Sequence, residues 1–317
     1  MNRKTQKIIF ALPLILLLVL AGIYFLFPAP ALKISIILER GLAGLEQKSV
    51  EVGDLHIEYL EGGEGEVLVL LHGFGGNKDH WVRVARYLTP HFKVIAPDLP
   101  GFGESSRDMD ASYTYASQVD RLHRFVRALG VEKFHLGGNS MGGNIAGNYT
   151  ARYEGDILSL WLIATGGVLS AQPSEMSQIL NSGGENPLVA ANAEEFDRLL
   201  DFVFAERPFI PGPIKGHLAQ EAIAHRLLNQ RIFEQITSTD ASNFVPLEKL
   251  LKNVQTRTLI LWGDRDRVLH VSGAKILESA MPHAEAAIME NVGHVPMVEA
   301  PEESAIFLLN FLGKKEG

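Results

Sequence analysis

The chain has 317 residues, 46% of them hydrophobic, enough to bury one large core and too apolar for a disordered or fibrous protein. Its 37 acidic and 29 basic residues leave a net charge of −8, with no basic run able to track a phosphate backbone, which argues against nucleic acid as a partner. There is no cysteine, so disulfides, zinc–thiolate sites and cysteine nucleophiles are excluded together.

The N-terminus carries one strong pattern. Ile8 to Phe27 reads IIFALPLILLLVLAGIYFLF, twenty residues without a charge, and as a helix this run spans roughly 30 Å of hydrocarbon. Arg3, Lys4 and Lys7 precede it, so the expectation is a single-pass anchor through residues 8–27 with a cytoplasmic N-terminus and the remaining chain on the outer side. A cleaved signal segment ending at Ala29-Pro30-Ala31, and hence a secreted protein, is the competing expectation. Ala31 to Lys48 mixes apolar residues with Lys33, Glu39, Arg40, Glu46 and Lys48 in a roughly helical pattern, suited to lying on a membrane surface or to packing on the following domain.

From Ser49 the chain alternates strand-like and helix-like segments. SVEVGDLHIEYLE reads as an antiparallel pair turned at Gly53-Asp54, and EVLVLL (Glu66 to Leu71) is a continuous apolar run fit for a strand buried on both faces. It delivers the chain into His72-Gly73-Phe74-Gly75-Gly76. A helix around Trp81 to Leu88, the strand FKVIAPDL, the turn-rich loop Asp98 to Ser105 and an amphipathic helix over Tyr115 to Leu129 follow. Then come a strand at Lys133 to Gly138, a helix rich in small residues at Met141 to Tyr153, and a strand at Ile157 to Ala164. This β–α alternation predicts an α/β chain with a doubly wound, mostly parallel sheet.

Between Val168 and Val245 the alternation stops, and helical patterns at Ala193 to Phe204 and Gly216 to Ile236 flank a proline-rich stretch at Pro208 to Pro213, which predicts an inserted helical cap. Its apolar residues Phe196, Leu199, Leu200, Phe202, Val203, Phe204, Phe209 and Ile210 suit either packing or an acyl-chain pocket. The sheet pattern resumes at Arg257 to Gly263, followed by a helix at Ser272 to Ala280, a strand at Ala284 to Glu290 and a closing helix from Pro301 to Leu312. The expected domains are an anchor or signal segment (1–31), a juxtamembrane segment (32–48), a catalytic core (49–167 and 246–317) and the cap (168–245).

Gly138-Asn139-Ser140-Met141-Gly142 fits the G-x-S-x-G elbow, where a strained turn between strand and helix holds a serine hydroxyl outward and only glycine fits at the flanks. A serine needs a base to take its proton, and in this arrangement the chain order is serine, acid, histidine. Of eleven histidines, His294 lies in a loop after the last expected strand and before the last helix, where its imidazole can reach the elbow. The orienting acid comes from the loop after RTLILWG, which offers both Asp264 and Asp266. Two backbone amides must receive the oxyanion, and the positions that supply them are Met141 and Phe74.

HGFGG, DLPGFGES, GNSMGG, WGDRDRV and GHVPMVEAP, in this order, resemble the α/β-hydrolase family over residues 49 to 313, and most of all its membrane-anchored monoacylglycerol lipases and related bacterial lipases. The resemblance implies the α/β-hydrolase fold, Asp266 as the acid beside Ser140 and His294, and a lipid or other hydrophobic carboxylic ester as substrate, with no cofactor, metal or nucleic acid and no known protein partner. GNSMGG also occurs in soluble hydrolases that cleave carbon–carbon bonds, which leaves that chemistry as the alternative, with a non-catalytic ligand-binding or scaffold protein behind it. One departure is His270, where many family members have proline.

Overall fold

A computed structural model of the chain describes residues 22, 27–238 and 245–314. Eight strands form one sheet in the order β1-β2-β4-β3-β5-β6-β7-β8. β1 (Leu45–Val52) and β2 (Leu55–Gly62) pair antiparallel about the Gly53-Asp54 turn, and β2 is antiparallel to β4 (Lys93–Pro97). From β4 onward all pairs are parallel, through β3 (Val67–Leu71), β5 (Phe134–Asn139), β6 (Ile157–Ile163), β7 (Thr258–Gly263) and β8 (Ala284–Met289).

Burial explains the sequence patterns. Every residue of β5 and β7 is buried, as is all of β3 beyond Val67, so these strands need cover on both faces. Helices supply it in two groups: α2 (Val82–Leu88) packs with α12 (Pro301–Phe311), while α3 (Tyr115–Ala128) packs with α4 (Met141–Arg152), which leans on β5 and β6. A short α9 (Leu247–Leu250) joins α4 to α10 (Ser272–Ala280). The edge strand β1 keeps Glu46, Lys48 and Glu51 exposed, and charge on an edge discourages pairing with another chain.

Among the described residues five helices lie between β6 and β7: α9, already placed, is preceded by the four of the inserted segment, α5 (Glu175–Asn181), α6 (Ala193–Val203), α7 (Gly212–Ala224) and α8 (Arg226–Thr237). The single helical pattern expected over Gly216 to Ile236 is two helices, because the chain breaks at His225; the first begins early, where Pro213 fits the opening turn. Phe196 and Leu200 join Ala190 and Ala219 in a small core of their own, with Leu199, Phe204 and Ile210 against it. Packing therefore accounts for most of that apolar cluster, while Phe209 is 89% exposed.

The membrane crossing expected through residues 8–27 is corrected. Among the described residues no helix is long and apolar enough to cross a membrane. The helix beside that run, α1 (Pro28–Leu42), spans only about 22 Å and carries Lys33, Glu39 and Arg40. Residues 8–21 and 23–26, which carried most of the expectation, lie outside the described residues. The single-pass topology with an outer catalytic domain thus loses its structural basis. α1 instead packs on α7, β1 and α2, and its Arg40 forms a two-pronged ion pair with Asp79 at 2.6 and 2.7 Å, although Ile34, Ile37, Leu38 and Leu42 stay exposed.

Candidate active site

The elbow is built as its glycines require. Ser140 sits between β5 and α4 at φ 56°, ψ −115°, a left-handed conformation costing an L-residue about 1–3 kcal/mol. Neighbours hold it there: Ser140 N donates to Ile163 O at 3.0 Å, and Ser140 O accepts from Asn144 N at 3.1 Å and Gly166 N at 3.0 Å. A side chain at Gly138 would stand 2.3 Å from Gly142 O, and one at Gly142 would stand 2.3 Å from Leu71 O, so neither position has room for a β-carbon. Met141 opens α4, and a first-turn amide has no acceptor within its own helix. Its N–H is thus available to an anion beside the serine.

The loop with the second expected donor comes close to the same point. A β-carbon at Gly73 would lie 3.2 Å from Ser140 Cβ, which brings Phe74, the next residue, to the serine's side. The Phe74 ring meets Phe102 and Phe233 edge-on, at 5.9 and 5.4 Å between centroids. His72 anchors this loop: its Nδ1 donates to Gly73 O at 2.8 Å and its Nε2 accepts from Leu99 N at 3.0 Å. Accepting an amide proton requires a neutral ring, and complete burial pulls its pKa down to about 4, against the attraction of Asp98.

The loop continues into a buried ion pair. Lys78, 2% exposed, donates from Nζ to Asp98 at 2.7 Å and to Glu104 at 2.6 Å, while Asp98, wholly buried, accepts from Lys78 N at 2.7 Å and Glu104 N at 2.8 Å. Burial alone would lower the Lys78 pKa, but the two carboxylates outweigh it and hold the ammonium above its ordinary value.

His294 occupies the loop between β8 and α11 (Pro296–Glu299) and is 4% exposed. Its Nδ1 lies 2.9 Å from Asp266 Oδ2. An ionised carboxylate only accepts, so Nδ1 carries the proton and Nε2 keeps its lone pair, as a general base requires. The elbow and the histidine loop are tied through Asn139, whose Nδ2 donates to His294 O at 3.0 Å and Ile163 O at 3.2 Å. On the other side His294 N donates to Val203 O in the cap at 2.9 Å.

The two candidate acids separate clearly. Asp266 Oδ2 accepts from both the His294 ring and Trp262 Nε1 (3.0 Å), and its Oδ1 accepts from Val268 N (2.8 Å) and Leu269 N (2.9 Å). Asp264 instead faces outward, with its carboxylate 3.8 Å from Arg265. His270 does not disturb the turn: its Nδ1 accepts from Ser272 N at 3.1 Å at the start of α10. A cleft of about 550 Å³ lies beside this loop between Phe204, Ala205 and Glu206 of the cap and Asp264 to Arg267, but neither Ser140 nor His294 lines it. Among the described residues no group of three or more histidine or acidic side chains is placed to hold a metal ion.

Sequence reasoning passed over Asn139, Trp262 and Glu299. All three lie inside the motifs GNSMGG, WGDRDRV and GHVPMVEAP, but nothing in the letters reveals their partners: Asn139 ties the elbow to the histidine loop, Trp262 holds the acid of its own motif, and Glu299 ties the histidine loop to the cap. Arg267 is another such tie: its guanidinium pairs with Glu175 of α5 at 2.7 and 2.6 Å, donates to Asp201 O at 3.0 Å and stacks on Phe202.

A family profile described as alpha/beta hydrolase fold matches residues 66–199. The chain is 40% identical to Lipase 1 of Psychrobacter immobilis over 275 residues, covering 84% of each protein. It is 31% identical to monoacylglycerol lipase abhd6-B of Xenopus laevis over 91% of this chain and 88% of that one. Among solved structures, that of a membrane phospholipase A described as a bacterial virulence factor superposes with a TM-score of 0.87 at 48% identity, covering 96% of this chain and 97% of that one. Likeness of this extent, running through both the sheet and the helices inserted into it, makes the chain a member of the α/β-hydrolase family.

Proposed function

We propose that the protein is a serine carboxylic-ester hydrolase acting on lipid esters, with acylglycerols as the preferred class, through an acyl-enzyme on Ser140. The observation that carries this reading is the Asp266–His294 hydrogen bond, which fixes the base-competent tautomer in a loop tied by Asn139 to the strained Ser140 turn. The names of the similar proteins, lipase, monoacylglycerol lipase and phospholipase A, support lipid esters as the substrate class. Residues 49–167 and 246–317 form the catalytic core on this reading, and residues 168–245 the cap over it.

In the first half-reaction Ser140 Oγ attacks the ester carbonyl as its proton passes to His294 Nε2. The imidazolium is stabilised by Asp266, and the tetrahedral oxyanion by the amides of Phe74 and Met141. Collapse expels the alcohol, which takes the proton from His294. Water, deprotonated by the same imidazole, then cleaves the acyl-enzyme and frees the fatty acid and Ser140.

The test is a panel running from short p-nitrophenyl esters to monoacyl- and triacylglycerols, with Ser140→Ala as control and fluorophosphonate labelling mapped by peptide mass. Ser140-dependent release of long-chain fatty acid is the expected result. A wild-type enzyme that leaves Ser140 unlabelled, or turns over only vinylogous diketones, refutes it.

A further inference from the structure

Glu299 closes α11, four residues after the histidine loop, and its side chain faces back toward that loop. Oε1 accepts from Gly293 N at 3.0 Å, immediately before His294. Oε2 accepts from Ala205 N at 2.8 Å and from Glu206 N at 3.3 Å, both on the cap just beyond α6. One carboxylate therefore joins the cap to the Val292–Gly293 peptide of the histidine loop. The next amide along, His294 N, donates to Val203 O of the same cap segment. Burial raises the Glu299 pKa, and the amides of Ala205, Gly293 and Glu206 act against that rise, so the ionised form has donors awaiting it on both sides.

From this geometry we infer that Glu299 is a positioning residue: its carboxylate clamps the end of cap helix α6 to the Val292–Gly293 peptide, next to His294, and thereby sets the imidazole over Ser140. The inference rests on the serine-hydrolase reading above. It makes the C-terminal end of α6 a fixed part of the catalytic frame.

The chemistry admits little substitution. Three N–H groups converge on two oxygens, and only a carboxylate offers acceptors to all of them. In Glu299→Gln the side-chain NH₂ must face either Gly293 N or the pair at Ala205 and Glu206, setting donor against donor on one side of the clamp. Glu299→Asp keeps the charge but is one methylene too short to reach both sides.

The experiment compares the wild type, Glu299→Gln, Glu299→Asp and the exposed control Glu302→Gln. It measures kcat and KM for p-nitrophenyl butyrate, the rate of fluorophosphonate labelling at Ser140, and the thermal midpoint. For both Glu299 variants kcat and the labelling rate should fall together by about tenfold or more, with KM within about twofold and labelling still reaching completion. A purely structural role would lower the midpoint while leaving the rates of the folded fraction unchanged, so variants that label at the wild-type rate overturn the inference while the serine-hydrolase reading stands. If Glu299→Gln does not fold, Glu299→Asp carries the test. A wild type unlabelled at Ser140 removes the reading and the inference together.

Discussion

Asp266→Asn is the sharpest probe of the site. Asp266 receives four donors, two on each oxygen, at 2.8–3.0 Å, and has no side-chain exposure. An asparagine keeps its one acceptor oxygen toward the amides of Val268 and Leu269, which leaves its NH₂ facing the Trp262 indole and the His294 ring. The imidazole can then satisfy that NH₂ only by accepting at Nδ1, which moves its proton to Nε2 and blocks the lone pair that must take the Ser140 proton. A wrong-tautomer histidine costs about 10⁴-fold in kcat in the serine protease triad, or about 5.5 kcal/mol of barrier. We expect a loss of about 10³ to 10⁴-fold here, with KM nearly unchanged. The opposed donors also cost roughly 1–3 kcal/mol of stability, readable by urea unfolding. Asp264→Asn, on an outward-facing side chain, should stay within about twofold of wild type. Initial rates on p-nitrophenyl butyrate, normalised to titrated Ser140, decide the matter: a larger loss at Asp264, or less than about tenfold at Asp266, refutes the assignment of the acid.

Ser140→Gly should be more stable than Ser140→Ala by about 1 kcal/mol, because relief of the positive-φ strain exceeds the added entropy of the unfolded glycine; urea midpoints giving the reverse order would contradict the strained elbow. His72 titrates at about 4 in the folded chain, below its ordinary value of 6.5, so the unfolded state takes up the proton first as pH falls. Its contribution, roughly 3 kcal/mol, is present in full above pH 6.5 and is lost as the pH drops through 4; between pH 7.5 and 4.5 the unfolding free energy of the wild type should therefore fall relative to that of His72→Asn, which lacks this titration, and parallel pH profiles would contradict it. Trp262→Phe removes the indole donor from Asp266 and should lower kcat by about tenfold while KM holds, as steady-state kinetics would show.

The fold was legible because its cues are local. The unbroken apolar runs of β3 and β7 need cover on both faces, and the strained Ser140 turn demands glycine on either side whatever the rest of the chain does. Pattern favours Asp266 over Asp264 only slightly and the family resemblance makes the choice, since two carboxylates two residues apart differ chiefly in which one meets Trp262 Nε1 and the His294 ring. The same limit hid the roles of Asn139 and Glu299, whose partners lie 155 and 94 residues away, at His294 and Ala205. The apolar run at residues 8–27 predicted a crossing from hydropathy alone, yet the described chain beside it is a short charged helix fastened to the domain by Arg40 and Asp79. The break at His225 escaped notice because apolar residues continue at helical spacing across it.

The ion pair of Lys78 and Asp98 has a consequence for how such sequences diverge. With both side chains removed from water, replacing Lys78 strands the Asp98 charge at a cost of about 3–5 kcal/mol, a large share of the margin by which a domain stays folded, and replacing Asp98 leaves Lys78 only Glu104, whose side chain is largely exposed. Replacing both with apolar groups of matching volume avoids the stranded charge, though it also takes from the amides of Lys78 and Glu104 their Asp98 acceptor. Across homologues these two positions should therefore change in concert or not at all, linking the segment just after the HGFGG loop to the DLPGFGES loop across nineteen intervening residues.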